Sequence, residues 1–173
     1  MEDTHEMMTL APLGIGDVNS HEKGSGARFN AGKPKLELIP IRAIADHWAE
    51  MHPDQHEKCL KALYHLADFQ EGGNKGCLIQ AMALVGGTWA ECAEVFDYGR
   101  KKYAEWNWAK GMSWSIPLAC AVRHLFYGLM CGEEFDGESK LPHRSHFDCN
   151  MVMLMTYIEN FKQGDNRPKE CFQ

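Results

Sequence analysis

No apolar run in this chain approaches the ~20 residues that a bilayer-spanning helix needs, and the opening MEDTHEMM has neither the basic nor the apolar region of a secretion signal. These absences predict a soluble cytoplasmic protein with no membrane partner. The seven cysteines are odd in number and include no CxxC pair, which excludes a disulfide framework and a zinc ribbon and fits a reducing compartment. GxSxG, GxxxxGK[ST] and GxGxxG are all missing, which disfavours an α/β-hydrolase, a P-loop NTPase and a dinucleotide-binding enzyme. None of the nine histidines is followed by aspartate, which disfavours an HD-type phosphohydrolase. Positive charge is in deficit too, with a formal net charge of −6. Nucleic acid is therefore not expected as the main partner, because that binding needs concentrated Lys and Arg. A local basic pocket still suits a small nucleotide.

What is present points to helices. With 173 residues and 45% apolar content, the chain supports one compact domain. No segment alternates convincingly with period two, whereas apolar spacing is helical over roughly 41–51, 54–69, 75–85, 88–104, 115–131 and 142–162. His52-Pro53, Glu71-Gly72-Gly73-Asn74, Gly86-Gly87, the Asn107–Gly111 loop and the stretch from Gly132 to Pro142 break these runs. The spacing predicts an all-α single-domain bundle of about five or six helices. Residues 1–27, poor in apolar periodicity, read as a mobile arm, 28–165 as the helical domain and 166–173 as a tail. RFNAGKPKLELIP, residues 28–40, reads as an ordered loop leading into the first helix.

Chemistry-bearing residues concentrate between Glu91 and Asn150. Glu91, Glu94 and Tyr98 stand at i, i+3 and i+7 on one helix face, close enough for the two carboxylates to share a divalent cation, Mg2+ or Mn2+. Thr88-Trp89-Ala90-Glu91 equally spells a capping box. Lys101 and Lys102 follow, as phosphate ligands or as cations at the negative end of a helix. The loop EWNWAKGMSWS groups Trp106, Trp108 and Trp114 around Asn107 and Lys110, and either stacks a base or covers a core. Arg123 and His124 interrupt an apolar helix, so Arg123 needs an acidic or phosphate partner. The acidic loop 133–138 precedes His143, His146 and Asn150, which share one face of the last helix and line a pocket or a polar helix contact.

RFNAGKPKLELIP, AEVFDYGRKKYAEWNWAKGMSWS and RHLFYGLMCGEEFDGESKLPHRSHFDCN, in that order, resemble the phage-associated dATP/dGTP diphosphohydrolases, near the MazG-like all-α nucleotide pyrophosphatases. The resemblance implies Mg2+-dependent hydrolysis of a purine deoxynucleoside triphosphate to its monophosphate and pyrophosphate. On that reading Glu91, Glu94, Asp136 and Glu138 hold the metal, while Arg123 and His146 join the two glutamates in catalysis. Arg28, Asn30, Lys33, Lys101, Lys102, Tyr103, Asn107, Trp108, Lys110, His124, His143 and Asn150 bind substrate. Residues 43–87 stand out as an inserted or expanded helical pair, Lys140 where the family often has glycine, and Asn30 where it often has aspartate. No clean ExxD pair stands on the last helix. MazG-like bundles commonly assemble, so a homo-oligomer is expected, with the apolar stretch 147–158 as a seam between copies. The rival expectation is a non-catalytic protein that binds a nucleotide or a partner in the same pocket.

Overall fold

A computed structural model describes residues 14–29 and 32–172. The described residues form an all-α bundle: α1 is Ile41–Met51, α2 Glu57–Gln70, α3 Lys75–Val85, α4 Trp89–Tyr103, α5 Ser115–Arg123 and α6 His143–Asn160. Two short strands, β1 Gly14–Ile15 and β2 Arg28–Phe29, pair antiparallel at its edge. No helix among the described residues is long and apolar enough to cross a membrane.

Local chemistry sets the helix ends. Asn74 caps α3 by accepting the Gly76 N–H at 2.8 Å. Thr88 caps α4 in a complete capping box with Glu91, a device that contributes about 1 kcal/mol. The helix expected from residue 54 begins instead at Glu57, because His56 takes a left-handed conformation at φ 57°. The helix expected over 115–131 is α-helical only to Arg123 and widens into a π-helical segment, His124–Met130. Gly128 allows that segment to lie against α6, since a Cβ there would collide with the His143 side chain.

Helix α6 is the central element, packed on α3, α4, α5 and the π segment. Its Phe147, Met151, Leu154 and Tyr157 are buried together with Leu63, Leu66 and Phe69 of α2 and Leu78 of α3. Each such side chain contributes roughly 1.5–3 kcal/mol by leaving water. The apolar residues of 147–158, read as a seam between copies, largely pack inside their own chain. Residues 43–87, read as an inserted or expanded helical pair, supply part of the same core.

The ends of the chain also pack on the bundle. Residues 14–27 are held rather than loose: Gly24 N–H donates to Lys110 O at 2.7 Å and Gly26 N–H to Gly111 O at 2.9 Å. Residues 1–13 of the predicted arm lie outside the described residues. In the tail, the Arg167 guanidinium lies 4.2 Å from the Phe69 ring centroid and donates to the Phe69 and Gly73 carbonyls.

Candidate functional site

A cavity of about 570 Å3 opens between β2, the C-terminal half of α4, the Asn107–Lys110 turn, the start of the π segment, the 136–138 loop and α6. That volume lies within the usual range for small-ligand sites. One wall is apolar and aromatic, with Phe29, Phe96, Trp108 and Met153; Phe96 and Trp108 have ring centroids 5.1 Å apart. The other is charged, with Arg28, Lys33, Lys102 and Arg123 beside Asp136, Glu138, His124 and His146.

The charges are unevenly matched. Lys33 and Lys102 both reach Glu138, Lys33 at 3.5 Å, and Tyr98 Oη donates to the same carboxylate at 3.2 Å. The Lys102 contact, then the charges around it, hold Glu138 below the usual carboxylate range against partial burial. Arg28 and Arg123 have no carboxylate within 4.0 Å among the described residues. Arg28 is directed by neutral groups instead: Nη2 donates to Asn150 Oδ1 at 3.1 Å and Nη1 lies 3.5 Å from Met153 Sδ. Both guanidiniums are half-buried, and a partly desolvated cation without a counter-ion favours an incoming anion.

Behind the cationic wall three imidazoles cluster. His124 begins the π segment and His143 begins α6, and their Nδ1 atoms are 2.8 Å apart. The His146 ring stacks on His124 at 4.6 Å between centroids. Burial, then the charge of His146, Arg123, His143 and Arg28, pushes His124 well below the usual imidazole range. Burial also pushes His146 down to about 4, although the Asp136 carboxylate favours its charged form. Both rings are therefore neutral at pH 7. Ser139 Oγ connects His146 Nε2, at 2.6 Å, to Asp136 Oδ1, at 3.0 Å. His124, Asp136 and His143 offer ligand atoms that all lie within 4.8 Å of one another. The side chains thus present fit a divalent cation held by nitrogen and oxygen.

Of the residues singled out in the sequence, Arg28, Lys33, Lys102, Tyr103, Asn107, Trp108, Arg123, His124, Asp136, Glu138, His146 and Asn150 line the cavity. His143 stands just behind it, through His124. Several do not meet there. Glu91 lies outside the lining, with its oxygens on the Thr88 N–H at 2.9 Å and on Arg144 at 2.5 Å. Its oxygens are thus engaged by the cap and by an ion pair. Glu94 is exposed and also outside the lining, so the ExxE pair does not converge with the cavity cations. Lys101 pairs with Asp97 at 2.6 Å, and Lys110 donates to Val18 O at 3.1 Å. The Asn107 amide is engaged on both sides by the Ala27 backbone, donating at 3.0 Å and accepting at 3.3 Å, which fixes its orientation in the cavity wall. Asn30 lies outside the described residues. Sequence reasoning missed Phe29, Phe96 and Met153; Phe29, beside Arg28, carried the only local signal, and the other two read as ordinary helix apolars.

The fold and cavity define an all-α single-domain protein whose site, cationic at one end and aromatic at the other, suits a phosphorylated aromatic compound. Residues 70–167, more than half of the chain, match the family model described as dATP/dGTP diphosphohydrolase, N-terminal. The chain belongs to that family. Neither a curated protein nor a solved structure matches it. The matched span includes α3, so residues 70–87 of the expected insertion fall within the family's own segment, whereas RFNAGKPKLELIP lies before it.

Proposed function

We propose that this chain hydrolyses a purine deoxynucleoside triphosphate, dGTP or dATP, between the α and β phosphates, releasing the monophosphate and pyrophosphate with Mg2+ or Mn2+ as cofactor. Family membership supports the reaction class. The observation that carries the reading is Arg28, a half-buried cation in the wall of a nucleotide-sized cavity with no carboxylate of its own among the described residues. In a phage that builds 2-aminoadenine nucleotides, released dGMP would feed that synthesis.

The chain's own residues divide the work. Arg28 and Arg123 take phosphate charge, and Lys33 and Lys102 join them when the incoming anion competes with Glu138. Phe96 and Trp108 cover the face of a purine, a contact worth about 1–3 kcal/mol per base. With Nε2 of His146 engaged by Ser139, its Nδ1 is the nitrogen left to accept a proton from an attacking water. Asp136 and Glu138 are the carboxylates of the wall that would hold a Mg2+ or Mn2+ ion. Such a cation, when bound, supplies charge neutralisation and makes a water easier to ionise.

The test is to incubate the pure chain with each of the four dNTPs and Mg2+ or Mn2+, and to identify the products. Monophosphate and pyrophosphate from dGTP or dATP is the expected result. Tight nucleotide binding without turnover would replace the enzyme with a binding protein, and release of inorganic phosphate or triphosphate would change the bond that is cut.

A further inference from the structure

We propose that His124, His143 and Asp136 form a site for one borderline divalent transition ion, of the Mn2+, Co2+ or Zn2+ class, at the inner end of the cavity. The site shares Asp136 with the carboxylate pair proposed above for Mg2+ or Mn2+ but adds two imidazoles to it, and its occupation in the absence of nucleotide does not depend on the hydrolytic reading. Its first support is the approach of two imidazole nitrogens. The Nδ1 atoms of His124 and His143 stand 2.8 Å apart, and two lone pairs meet so closely only across a shared proton or a shared cation. Neighbouring ligands each about 2.1 Å from an ion are about 3.0 Å apart in octahedral and about 3.4 Å apart in tetrahedral geometry, so the two rings need to part only slightly to take an ion between them.

The second support lies on the far side of the ring. His143 is about 94% buried, and its Nε2 has no hydrogen-bond partner. The nearest charge to that nitrogen is the Glu133 carboxylate, at 3.7 Å. A proton on Nε2 facing a carboxylate leaves Nδ1 as the lone pair aimed at His124, and a carboxylate behind the ring is the usual outer partner of a metal-ligating histidine. Asp136 completes the set. Its Oδ1 accepts from the Glu138 N–H, the Ser139 N–H and the Ser139 hydroxyl, at 3.2, 2.9 and 3.0 Å, which leaves Oδ2 without a partner among the described residues. One ligand atom from each of the three residues lies within 4.8 Å of the other two, so a bound ion would draw the partly exposed Asp136 carboxylate toward the two rings.

The donor set decides the kind of ion. Imidazole suits borderline transition metals, whereas Mg2+ prefers an all-oxygen, largely hydrated shell. The framework is also built for close approach, because Gly128 of the π segment makes room for the His143 side chain.

The experiment uses the full chain, stripped of metal with a chelator and free of nucleotide. Cobalt chloride is titrated in while visible absorption and dialysis report uptake, and zinc, manganese and magnesium chlorides are compared. The expected result is one cobalt per chain, with magnesium at least about 10-fold weaker. Glu133→Gln, at an exposed position, should lower cobalt affinity by about 10-fold with unchanged melting, and Asp136→Asn should lower it by about 100-fold or more. In the wild-type chain labelled with 15N-histidine, zinc should shift the Nδ1 resonances of two histidines. No cobalt uptake by the wild type, or equal uptake by both variants, would overturn the proposal in favour of a proton shared between the rings. Because no nucleotide is present, failure here leaves pyrophosphate release untouched, and failure of hydrolysis leaves metal uptake readable.

Discussion

Arg28 and Asn150 meet across most of the length of the chain: the guanidinium of β2 donates to the amide oxygen of α6 at 3.1 Å, while the Asn150 amide nitrogen donates to His146 O at 2.7 Å. The amide is thereby oriented with its oxygen toward the cavity, and the arginine is aimed without being neutralised. Such a cation serves a ligand more than the fold. Arg28→Met should therefore leave the melting temperature unchanged or raise it, since removing a half-buried charge that has no carboxylate partner among the described residues relieves desolvation. The KM for a dNTP should rise roughly 10- to 100-fold through loss of a charge-assisted hydrogen bond worth about 1.5–3 kcal/mol. Calorimetry alongside pyrophosphate release checks both halves, and a destabilised variant with normal KM would make Arg28 a structural strut.

Glu91 and Glu94 separate two readings of one motif. Glu91 accepts from Thr88 and Arg144, and the backbone N–H of Thr88, then Arg144, holds its carboxyl below the usual range. Glu91→Ala should cost about 1 kcal/mol of stability by loss of the cap, with turnover close to wild type. Glu94→Gln, at an exposed position outside the cavity, should change neither. A fall of two orders of magnitude in kcat for Glu94→Gln, at unchanged melting, would return the ExxE carboxylates to the reaction.

Asp148 supplies a pH signature. Its Oδ2 accepts the Gly87 N–H at 2.7 Å while Oδ1 is buried without a partner. Burial, with the Glu91 charge adding and the Gly87 hydrogen bond opposing, pushes its carboxyl up to about 6 from the usual 3.8. The unfolded chain then releases this proton at lower pH than the folded one. The group's contribution to stability is fully present below about pH 4 and is lost as pH rises through about 6. Asp148→Asn removes that loss. The difference in melting temperature, variant minus wild type, should become more positive from pH 4 to pH 7; a flat difference would mean that the carboxyl titrates normally.

Helix positions were legible because apolar spacing and caps are local: Asn74, Thr88 and the Gly86-Gly87 break act within a few residues of the helices they bound. The widening of the chain at His124 was not legible, because its cause is the approach of His143 to Gly128 from a different helix. The cationic residues were recognisable by type, yet the sequence could not tell that Lys33 and Lys102 share Glu138 while Arg28 has no carboxylate partner among the described residues. Helical spacing put Glu91 and Glu94 on one face but not which face looks inward, and the cavity is lined by Ala93 and Val95, on either side of Glu94, rather than by the glutamates.

One turn residue carries a backbone cost. Lys140 adopts φ 61°, in the left-handed region. It sits in the tight turn that carries Asp136 and Ser139, closed by Lys140 N–H to Asp136 O and by Asp136 N–H to Leu141 O, both at 2.9 Å. A side chain in that conformation costs about 1 kcal/mol that glycine avoids, offset in part by the greater freedom glycine has when unfolded. Lys140→Gly should therefore raise the melting temperature by about 1–3 °C, and Lys140→Val should lower it by more, because a β-branched residue fits this region worst. Since Lys140 is exposed and outside the cavity lining, pyrophosphate release by Lys140→Gly should match wild type. A lower melting temperature for the glycine variant would show that the lysine side chain itself stabilises the turn by more than its backbone strain costs.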